Sequence, residues 1–494
     1  MFFAILTLIV ALVFRLLPLL LYKADYGVDH WYWKAYIETY KRDKQFPPVL
    51  PQYVLDEFQW YPPLFPLFIA LLPVKVFNVL SQWIAIGIDL LRMIFLLFVV
   101  AWLSQGNMQA VCIAGLIYAT TPILISYNIQ LNPRGLGALF LDLLIVLVMY
   151  WYLLGGTDYL LIPVILLSGL ILITHKMTTQ IFWFLCLSTF IITLDYKFLL
   201  LVPVSVIAAL LTSKGFYWKV LRAHWDIMTF WYRNWPWLQA HPIKESPVYG
   251  GDGYETPTTF HRKGWNGFVQ HIRYMAGFNP AAWCLVVLLL LSFSVCNPDL
   301  TTKWIMGWMG ISLLFVFLTV FIPQLKCLGA GYLYLYNATF PVALLWGFVF
   351  NRLPNNLIFN IILMIALLAN VVAIVLFYRR LFNNKTQKID ADFLEVIDFL
   401  TNAPMGTVMC LPPQWYDVIA YKTNQPVLYG GHGYGFKLLE PVFPRLLIPM
   451  NEIVKRYGVR YLVSMEGYLT EGFQLELKDS KVFAFGIYSV YVLD

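Results

Sequence analysis

The chain carries eleven long apolar stretches, which constrain its fold more than any other feature of the sequence. An α-helix needs about 20 mostly apolar residues to cross roughly 30 Å of hydrocarbon while satisfying its own backbone hydrogen bonds. Hydrophobic residues make up 60% of the 494 residues and charged residues 12%, which excludes an ordinary soluble domain. We predict a polytopic α-helical membrane protein with about 11 transmembrane helices. The stretches lie at 2–22, 83–103, 109–127, 136–154, 159–174, 180–195, 197–213, 281–297, 303–323, 332–350 and 356–378.

The first stretch is predicted to be a retained helix and not a secretory signal, because it contains Arg15 and no small-residue cleavage site follows it. An odd number of spans places the N-terminus and the C-terminal region on opposite sides of the membrane. The positive-inside rule leaves the orientation open, since each side has three cationic residues in short loops. They are Arg134, Lys176 and Lys326 on one side, and Lys197, Lys303 and Arg352 on the other.

Composition divides the chain into a transmembrane module, 1–383, and a soluble C-terminal domain, 384–494. Two long outer segments of the module, 23–82 and 214–280, alternate aromatic and charged residues in a helical pattern and are predicted to contain interfacial helices. Alternating helix and strand patterns in the C-terminal domain predict a small α/β domain. The predicted elements are helices over 392–400 and 443–457 and strands over 406–411 and 459–463.

Acidic residues follow the first apolar stretch directly, in Asp25-Tyr26-Gly27-Val28-Asp29-His30-Trp31-Tyr32-Trp33. A carboxylate at the end of a spanning helix lies at the membrane boundary. There a general base could act on an acceptor substrate that arrives from water and a donor substrate that arrives from lipid. The nearby apolar boundary favours a raised carboxyl pKa and a stronger base. Asp29 and Asp25 are therefore candidate catalytic residues; the alternative is that they only solvate a helix end.

A second acidic pair, Asp56 and Glu57, precedes Trp60-Tyr61-Pro62-Pro63-Leu64-Phe65-Pro66. Glu57 is a candidate for orienting a substrate hydroxyl or holding a divalent cation, and ordinary loop solvation is the alternative. Tyr61 is a candidate substrate-binding residue on the same segment, which the prolines stiffen before it re-enters the membrane.

Three cationic or titratable residues, Arg134, His175 and Lys176, lie in two short turns on the same predicted side as Asp29. Arginine binds a phosphate bidentately and lysine binds it as a point charge, so this group suits a lipid phosphate. The alternative is snorkelling to bulk lipid headgroups. The glycine-rich run 429–435 lacks the features of a nucleotide-binding loop, so we expect a tight surface turn or a segment that closes over substrate.

Four charged residues lie well inside predicted spans, away from their ends: Arg15, Asp89, Arg92 and Asp142. Charges within the bilayer are costly and are usually paired. Because Asp89 and Arg92 are one helical turn apart, we predict that they pair with each other.

The order of these parts resembles the GT-C superfamily, the membrane glycosyltransferases that use polyprenyl-phosphate-linked sugars. The matching parts are a first helix, the acidic-aromatic loop with Asp29, the proline-rich re-entry, an Asp89-bearing helix, the His175 turn and a soluble C-terminal domain. The resemblance implies that Asp29 is the catalytic base, with Asp25 second. It also implies an exoplasmic active site and C-terminal domain, a cytoplasmic N-terminus and a multi-pass location, predicted to be a prokaryotic cytoplasmic membrane.

The chain departs from the metal-dependent oligosaccharyltransferases of that superfamily. It lacks their Trp-Trp-Asp-Tyr-Gly motif, and its second outer loop has Asn128, Asn132 and Arg134 where they carry acidic residues. We therefore expect a metal-independent, inverting transfer with no cofactor, and a divalent cation is the less favoured alternative. Expected partners are a polyprenyl-phosphate-sugar donor, a glycan, lipid or protein acceptor and the bilayer, with no nucleic acid. The alternatives are an oligosaccharyltransferase-like enzyme, a flippase or transporter of a lipid-linked substrate, and a scaffold.

Overall fold

The computed structural model describes most of the chain, including the apolar stretches and the C-terminal region. The described residues are 2–22, 27–55, 59–238, 240–251, 264–296, 298–353, 356–383, 389–430, 435–478 and 480–493.

The described chain is mainly α-helical, and its strands all lie near the C-terminus. In chain order the helices are α1 Phe2–Tyr22, α2 Val28–Asp43, α3 Leu64–Ala70, α4 Val74–Leu80, α5 Ile84–Leu103, α6 Met108–Ala119, α7 Pro122–Asn128, α8 Arg134–Leu153, α9 Leu161–Leu172, α10 Lys176–Thr193, α11 Tyr196–Thr212, α12 Tyr217–Asn234, α13 Gly264–Phe278, α14 Pro280–Cys296, α15 Leu300–Phe321, α16 Leu335–Arg352, α17 Leu357–Asn383, α18 Ala391–Asn402, α19 Tyr416–Thr423, α20 Phe436–Leu439, α21 Met450–Tyr457 and α22 Glu471–Glu476. The strands are β1 Thr407–Leu411, β2 Val459–Met465, β3 Lys481–Phe485 and β4 Tyr488–Val492.

Helices occupy all eleven stretches in which hydropathy predicted a span. Among the described residues, seven helices are long and apolar enough to cross a membrane alone, and two bent pairs raise the number to nine. One pair joins α6 to α7 at an angle of 53°, and the other joins α13 to α14 at 98°. The remaining two predicted spans are the shorter apolar helices 158–172 and 196–212. The prediction of a multi-pass helical membrane protein is confirmed, whereas the count of about 11 spans stays a prediction.

The chain forms two compact units. The first consists of 1–23, 82–218 and 271–383 and contains most of the long apolar helices. Its core is the segment Gly331–Arg352, within which 94% of the residues in an 18-residue apolar window are buried. Gly347 lies there against α6, where an added Cβ would meet the carbonyl oxygen of Ala110 at 2.9 Å, so the two helices require a glycine to pack this closely.

Buried ion pairs cross-link the helices of the first unit, and they correct one prediction. Asp89 does not pair with Arg92; instead Arg15 of α1 pairs with Asp89, and Arg92 pairs with Asp142 of α8. All four side chains are fully buried. The hydroxyl of Tyr118 also donates to Asp89, at 2.8 Å. Spacing along α5 made the intrahelical pair geometrically reasonable, but neighbouring helices present the opposite charges.

The second unit consists of 24–81, 219–270 and 384–494. Its sheet has the order β1-β2-β4-β3, with β1 parallel to β2 and the other neighbours antiparallel. The segment around Val427 continues the sheet on the far side of β1 and bridges to Tyr53 of the first outer segment. The outer segments that we assigned by sequence to the transmembrane module therefore group with the C-terminal region.

One helix of the C-terminal region is shorter than predicted. The pattern over 443–457 predicted a single helix, but α21 begins only at Met450. Pro444 and Pro449 lack the N–H that a helix interior needs, and Pro449 is extended, with ψ 160. By contrast, α18 begins as predicted, because the Asp390 side chain accepts a hydrogen bond from the Phe393 N–H and caps the helix.

The aromatic helix of the first outer segment, α2, is covered by protein. Trp31, Tyr32, Trp33 and Tyr36 are each at most 4% exposed. Trp31 packs against Tyr421 of α19, with ring centroids 5.3 Å apart. The apolar face that predicted contact with the membrane interface is thus used for packing within the second unit, because protein and lipid cover such a face equally well.

Candidate functional site

Asp29 lies in the first turn of α2, the helix that follows the first apolar segment. Gly27 precedes this helix with φ 101, a backbone conformation that residues with a side chain rarely adopt, so a glycine is needed here. The Asp29 side chain is half-buried. A carboxylate in this position is favoured by the positive end of the helix dipole. Asp25 and Glu57 lie outside the described residues.

His30 follows Asp29 and is fully buried, with its ring at right angles to Trp31 and 5.2 Å from it. Neither ring nitrogen has a hydrogen-bond partner within the described parts of the chain. Burial, together with the nearby Lys34 and Lys422, lowers the pKa of His30 from 6.5 to about 3. The imidazole beside Asp29 is therefore neutral at physiological pH.

Aromatic packing positions the proline-rich segment beside α2. Tyr61 is 5% exposed and meets Trp33 edge-on, with ring centroids 5.1 Å apart. Two residues earlier, Gln59 accepts a hydrogen bond of 2.6 Å from the hydroxyl of Tyr32. The segment between Gln59 and Tyr61 is thus attached to α2 at both ends.

The glycine-rich run of the C-terminal region lies against the first outer segment. Val54 and Leu55 donate backbone hydrogen bonds to the carbonyls of Val427 and Leu428, both at 3.0 Å. Just beyond, an added Cβ on Gly430 would collide with the ring of Tyr53. On the other side of the run, a Cβ on Gly435 would lie 2.6 Å from the Leu55 carbonyl oxygen. Residues 431–434 are outside the described chain, and the described residues on both flanks of the run pack against the first outer segment.

Asp226 of α12 is a buried carboxylate that the sequence analysis did not single out. It is 3% exposed, and Lys437 Nζ lies 3.6 Å from its Oδ1. Burial raises the pKa of Asp226, and Lys437 opposes this shift. The partner is more than 200 residues away along the chain, so no local motif marks Asp226; its only sequence signal is an acidic residue on the apolar side of an aromatic helix.

In the first unit, Arg134 begins α8 at the end of a tight turn. Asn132 stabilises this turn by donating to the carbonyls of Tyr127 and Gln130 and by accepting from the Arg134 N–H. The guanidinium lies over the ring of Tyr127, 4.1 Å from its centroid. Its Nη1 is buried and has no hydrogen-bond partner among the described residues. Arg134 therefore has a donor available for an anionic ligand.

His175 and Lys176 lie at the start of α10, which packs closely on α8. His175 is 4% exposed, and its Nδ1 lies 3.2 Å from the hydroxyl of Thr178. An added Cβ on Gly137, one turn after Arg134, would lie 3.1 Å from the Cβ of His175. The two helix starts predicted from separate turns thus lie at the same end of the first unit.

Lys326 is a further cation at this end of the unit, in the short helix Pro323–Leu328. It is 6% exposed, and burial lowers its pKa. The hydroxyl of Tyr334 connects this turn to α10, because its single proton lies between two acceptors, the Leu328 carbonyl oxygen at 2.9 Å and Gln180 Oε1 at 2.5 Å. We refer to Arg134, His175, Lys176 and Lys326 as the cationic cluster.

In the described structure, carboxylates do not form a cluster near the start of α2 or near the cationic cluster. Across the described ranges, no three His, Cys, Asp or Glu side chains come together as potential metal ligands. Asn128 accepts a hydrogen bond from the Tyr336 hydroxyl, and Asn132 forms hydrogen bonds within its own turn.

Comparison with solved structures identifies the fold. The chain aligns over 100% of its length with the apo oligosaccharyltransferase of Archaeoglobus fulgidus, covering 74% of that chain, with a TM-score of 0.58 and 12% identity. It aligns over 99% of its length with ArnT from Cupriavidus metallidurans bound to undecaprenyl phosphate, covering 97% of that chain, with a TM-score of 0.56 and 12% identity. The chain has the GT-C fold.

The resemblance inferred from the order of parts along the chain is therefore confirmed for the GT-C fold. The oligosaccharyltransferase AglB of Archaeoglobus fulgidus, in complex with an inhibitory peptide and a dolichol-phosphate, gives a TM-score of 0.54 at 12% identity over 100% of this chain and 74% of that one. Comparison with protein-family models and with curated protein sequences finds no match. At this identity the likeness concerns the fold, and the roles of individual residues remain predictions.

Proposed function

We propose that the protein is a membrane glycosyltransferase that moves a sugar from a polyprenyl-phosphate-linked donor to an acceptor hydroxyl on the exoplasmic side. The observation that carries the proposal is the GT-C fold along the whole chain, which two polyprenyl-phosphate-binding proteins share. The cationic cluster supports it, because a buried guanidinium nitrogen without a partner suits a phosphate oxygen. The module 1–383 would provide the catalytic groups and the exoplasmic domain 384–494 would support the first outer segment.

The transfer would be a single displacement with inversion. The acceptor oxygen forms a bond to the anomeric carbon while the bond from that carbon to the phosphate oxygen breaks. Asp29 takes the hydroxyl proton as general base, with Asp25 as the second candidate. Arg134, His175 and Lys176 stabilise the departing lipid phosphate, while Glu57 and Tyr61 orient the sugar.

The proposed reaction needs no metal ion. This proposal rests on residue types: the second outer loop offers Asn128, Asn132 and Arg134, and a cationic side chain at that position opposes binding of a divalent cation. The asparagines are already engaged in structural hydrogen bonds. Phosphate charge would thus be balanced by side chains.

The test is incubation of the purified protein with a panel of polyprenyl-phosphate sugars, measuring release of the free lipid phosphate. Asp29→Asn should lower the release rate by at least about 100-fold while leaving donor binding intact, because only the proton acceptor is lost. Asp43→Asn, on the same helix but at its exposed end, is the matched control. Substantial transfer by Asp29→Asn would refute the assignment of the base.

A second measurement addresses the cationic cluster. Arg134→Gln should weaken binding of the donor by roughly 10- to 100-fold, the loss expected for a charge-assisted hydrogen bond. Lys197→Gln, in the first turn of α11 and beyond the far end of α10, should leave binding unchanged. An oligosaccharyltransferase-like activity would be recognised by transfer to acceptor peptides, and a transporter by donor binding without any release of lipid phosphate.

A further inference from the structure

An apolar cavity of about 220 Å³ lies in the first unit between α8, α10, α11 and α15. Its walls are formed by the second half of α8, α10 from Phe182 onward, and the first halves of α11 and α15, including Leu144 and Phe198. Arg134 and Lys176 begin α8 and α10, so the cavity is at the end of these helices away from the cationic cluster. It is therefore separate from the candidate phosphate site.

The rim of this cavity faces outward from the bundle. Ile192 and Leu300 line it and are 70% and 61% exposed. Both residues lie at ends of membrane-spanning helices, which places the opening near one surface of the bilayer. An acyl chain from the neighbouring lipid layer can enter such an opening without leaving the membrane.

Two indole groups in the wall lack acceptors. The Nε1 atoms of Trp304 and Trp308 are buried and have no hydrogen-bond partner within the described structure, and Trp308 is only 4% exposed. A buried donor without an acceptor is unfavourable, because the N–H has lost its hydrogen bond to water and gained none in return. A ligand that brings carbonyl oxygens to this depth would remove that cost.

Lys303 lies at the mouth of the cavity, one residue before Trp304 on α15. Its side chain is exposed, and in the described parts of the chain its ammonium group has no ion-pair or hydrogen-bond partner. Arg352 is the other cation near the start of α15, and it already pairs with Asp299 at 2.7 Å. Lys303 is therefore available for an anion at the membrane surface.

We propose that this cavity binds one anionic glycerophospholipid, with its phosphate at Lys303, an ester carbonyl at Trp304 or Trp308, and an acyl chain along the apolar walls. From the mouth inward, the cavity presents an ammonium group, indole N–H groups and apolar walls. A phospholipid has its phosphate, ester carbonyls and acyl chains in the same order. Trp308 lies five residues after Lys303, about 7.5 Å deeper along the helix at 1.5 Å per residue. The proposal does not depend on the proposed transferase activity.

The cavity can be filled without disturbing the helix that lines it. Gly307 lines the wall, and an added Cβ would meet nothing within 4 Å. Gly307→Leu should occupy the space of the acyl chain and raise the dissociation constant for phosphatidylglycerol by at least about 10-fold, since several buried methylenes lose their contacts. Gly310→Leu is the matched control, because Gly310 is on the same helix, has equal open space and does not line the cavity.

Binding is measured by native mass spectrometry of the delipidated full-length protein, titrated with phosphatidylglycerol or phosphatidylcholine of identical acyl chains. Lys303→Gln should raise the dissociation constant for phosphatidylglycerol about five-fold, as expected for one lysine near an anionic surface, and remove the preference over phosphatidylcholine. Lys197→Gln, at the same end but outside the cavity, should preserve both. Thr189→Leu is a second filling variant if Gly307→Leu does not fold.

Two results would overturn the proposal. One is unchanged binding of phosphatidylglycerol by both filling variants, which would show that lipid binds elsewhere. The other is a filling variant that loses undecaprenyl phosphate and keeps phosphatidylglycerol, which would assign the cavity to the donor lipid. Failure of the transferase assay would affect neither measurement.

Discussion

His30 illustrates how the surroundings of one residue set its charge beside the proposed base. Its ring is enclosed by the aromatic residues of α2, and two lysines lie near it. The folded protein therefore excludes the protonated form, with a pKa of about 3 against 6.5 in an unfolded chain. Folding stability is present above pH 6.5 and is lost as the pH falls towards 3, because only the unfolded state gains the proton.

We predict that His30→Phe removes this loss of stability in acid. About pH 5.5 is one unit below the pKa of the histidine in the unfolded chain. At that pH the wild-type histidine lowers the free energy of unfolding by about 1.4 kcal/mol relative to neutral pH. The phenylalanine variant also eliminates two buried polar atoms without partners, so it should be at least as stable as wild type at about pH 7.5. Thermal unfolding of both proteins at the two pH values measures the difference. An equal pH dependence in the two would contradict the neutral, buried histidine.

At this scale the sequence predicted residues whose position follows from their local neighbours. Asp29 follows an apolar stretch, so the sequence predicts a place near a membrane boundary, and the structure shows it in the first turn of α2. Asp226 could not be found in this way, because Lys437, which faces it, comes from a distant segment. The same limit explains why Lys326 appeared only in a charge count and not as part of the cationic cluster.

The element that most changes the interpretation of the C-terminal region is the ladder between 52–55 and 427–428. It consists of backbone hydrogen bonds, including Val54 N–H to the Val427 carbonyl and Val427 N–H to the Gln52 carbonyl at 2.7 Å. Sequence periodicity predicted β1 and β2, because apolar β-branched residues recur there. It did not predict this ladder, since a short pairing between backbones leaves little trace in side-chain identity.

We predict that Val54→Pro disrupts this ladder. Proline removes the N–H that Val54 donates, and a lost ladder bond with ring strain should destabilise the second unit by about 2–3 kcal/mol. Val54→Ala keeps the N–H and is the matched control. Limited proteolysis within 46–60, followed by mass spectrometry, should show faster cleavage only for the proline variant. Cleavage of both variants at the wild-type rate would show that the ladder does not hold this segment.

Element bounds were predicted best for the apolar helices. A segment inside hydrocarbon must satisfy its backbone internally, so a long apolar run leaves little choice but a helix. Outside that environment the prediction weakened: α21 is shorter than expected, and α2 uses its aromatic face for packing within the protein. Hydropathy indicates that a face is covered, but it does not indicate whether lipid or protein covers it.

Across the first unit, two buried ion pairs connect three helices: Arg15–Asp89 joins α1 to α5, and Arg92–Asp142 joins α5 to α8. Arg92 also donates to the Tyr336 carbonyl at 3.2 Å and lies over the Tyr336 ring, which ties α16 into the same network. The membrane-spanning bundle thus contains four buried charges whose net charge is zero. Their cost is reduced only while each keeps its partner.

We predict that Asp142→Ala destabilises the bundle by about 3–5 kcal/mol, because it leaves Arg92 buried without a counterion. The double variant Arg92→Met with Asp142→Leu should recover most of the loss, since both charges are removed together. A double-mutant cycle of Arg92→Met, Asp142→Leu and the double variant, from thermal unfolding of the purified protein, measures the coupling. The exposed pair Arg42–Asp43 is the control, and its cycle should give less than about 1 kcal/mol. A similar coupling for both pairs would contradict the role of burial.

The pairing of 52–55 with 427–428 also sets an order of events during synthesis. Translation proceeds from the N-terminus, so the first outer segment emerges and its neighbouring helices insert long before its partner exists. Until residues near 427 have been made, the aromatic side chains of α2 lack the α19 surface that covers them. The nascent chain must therefore hold this segment in a partly folded state through most of its own synthesis.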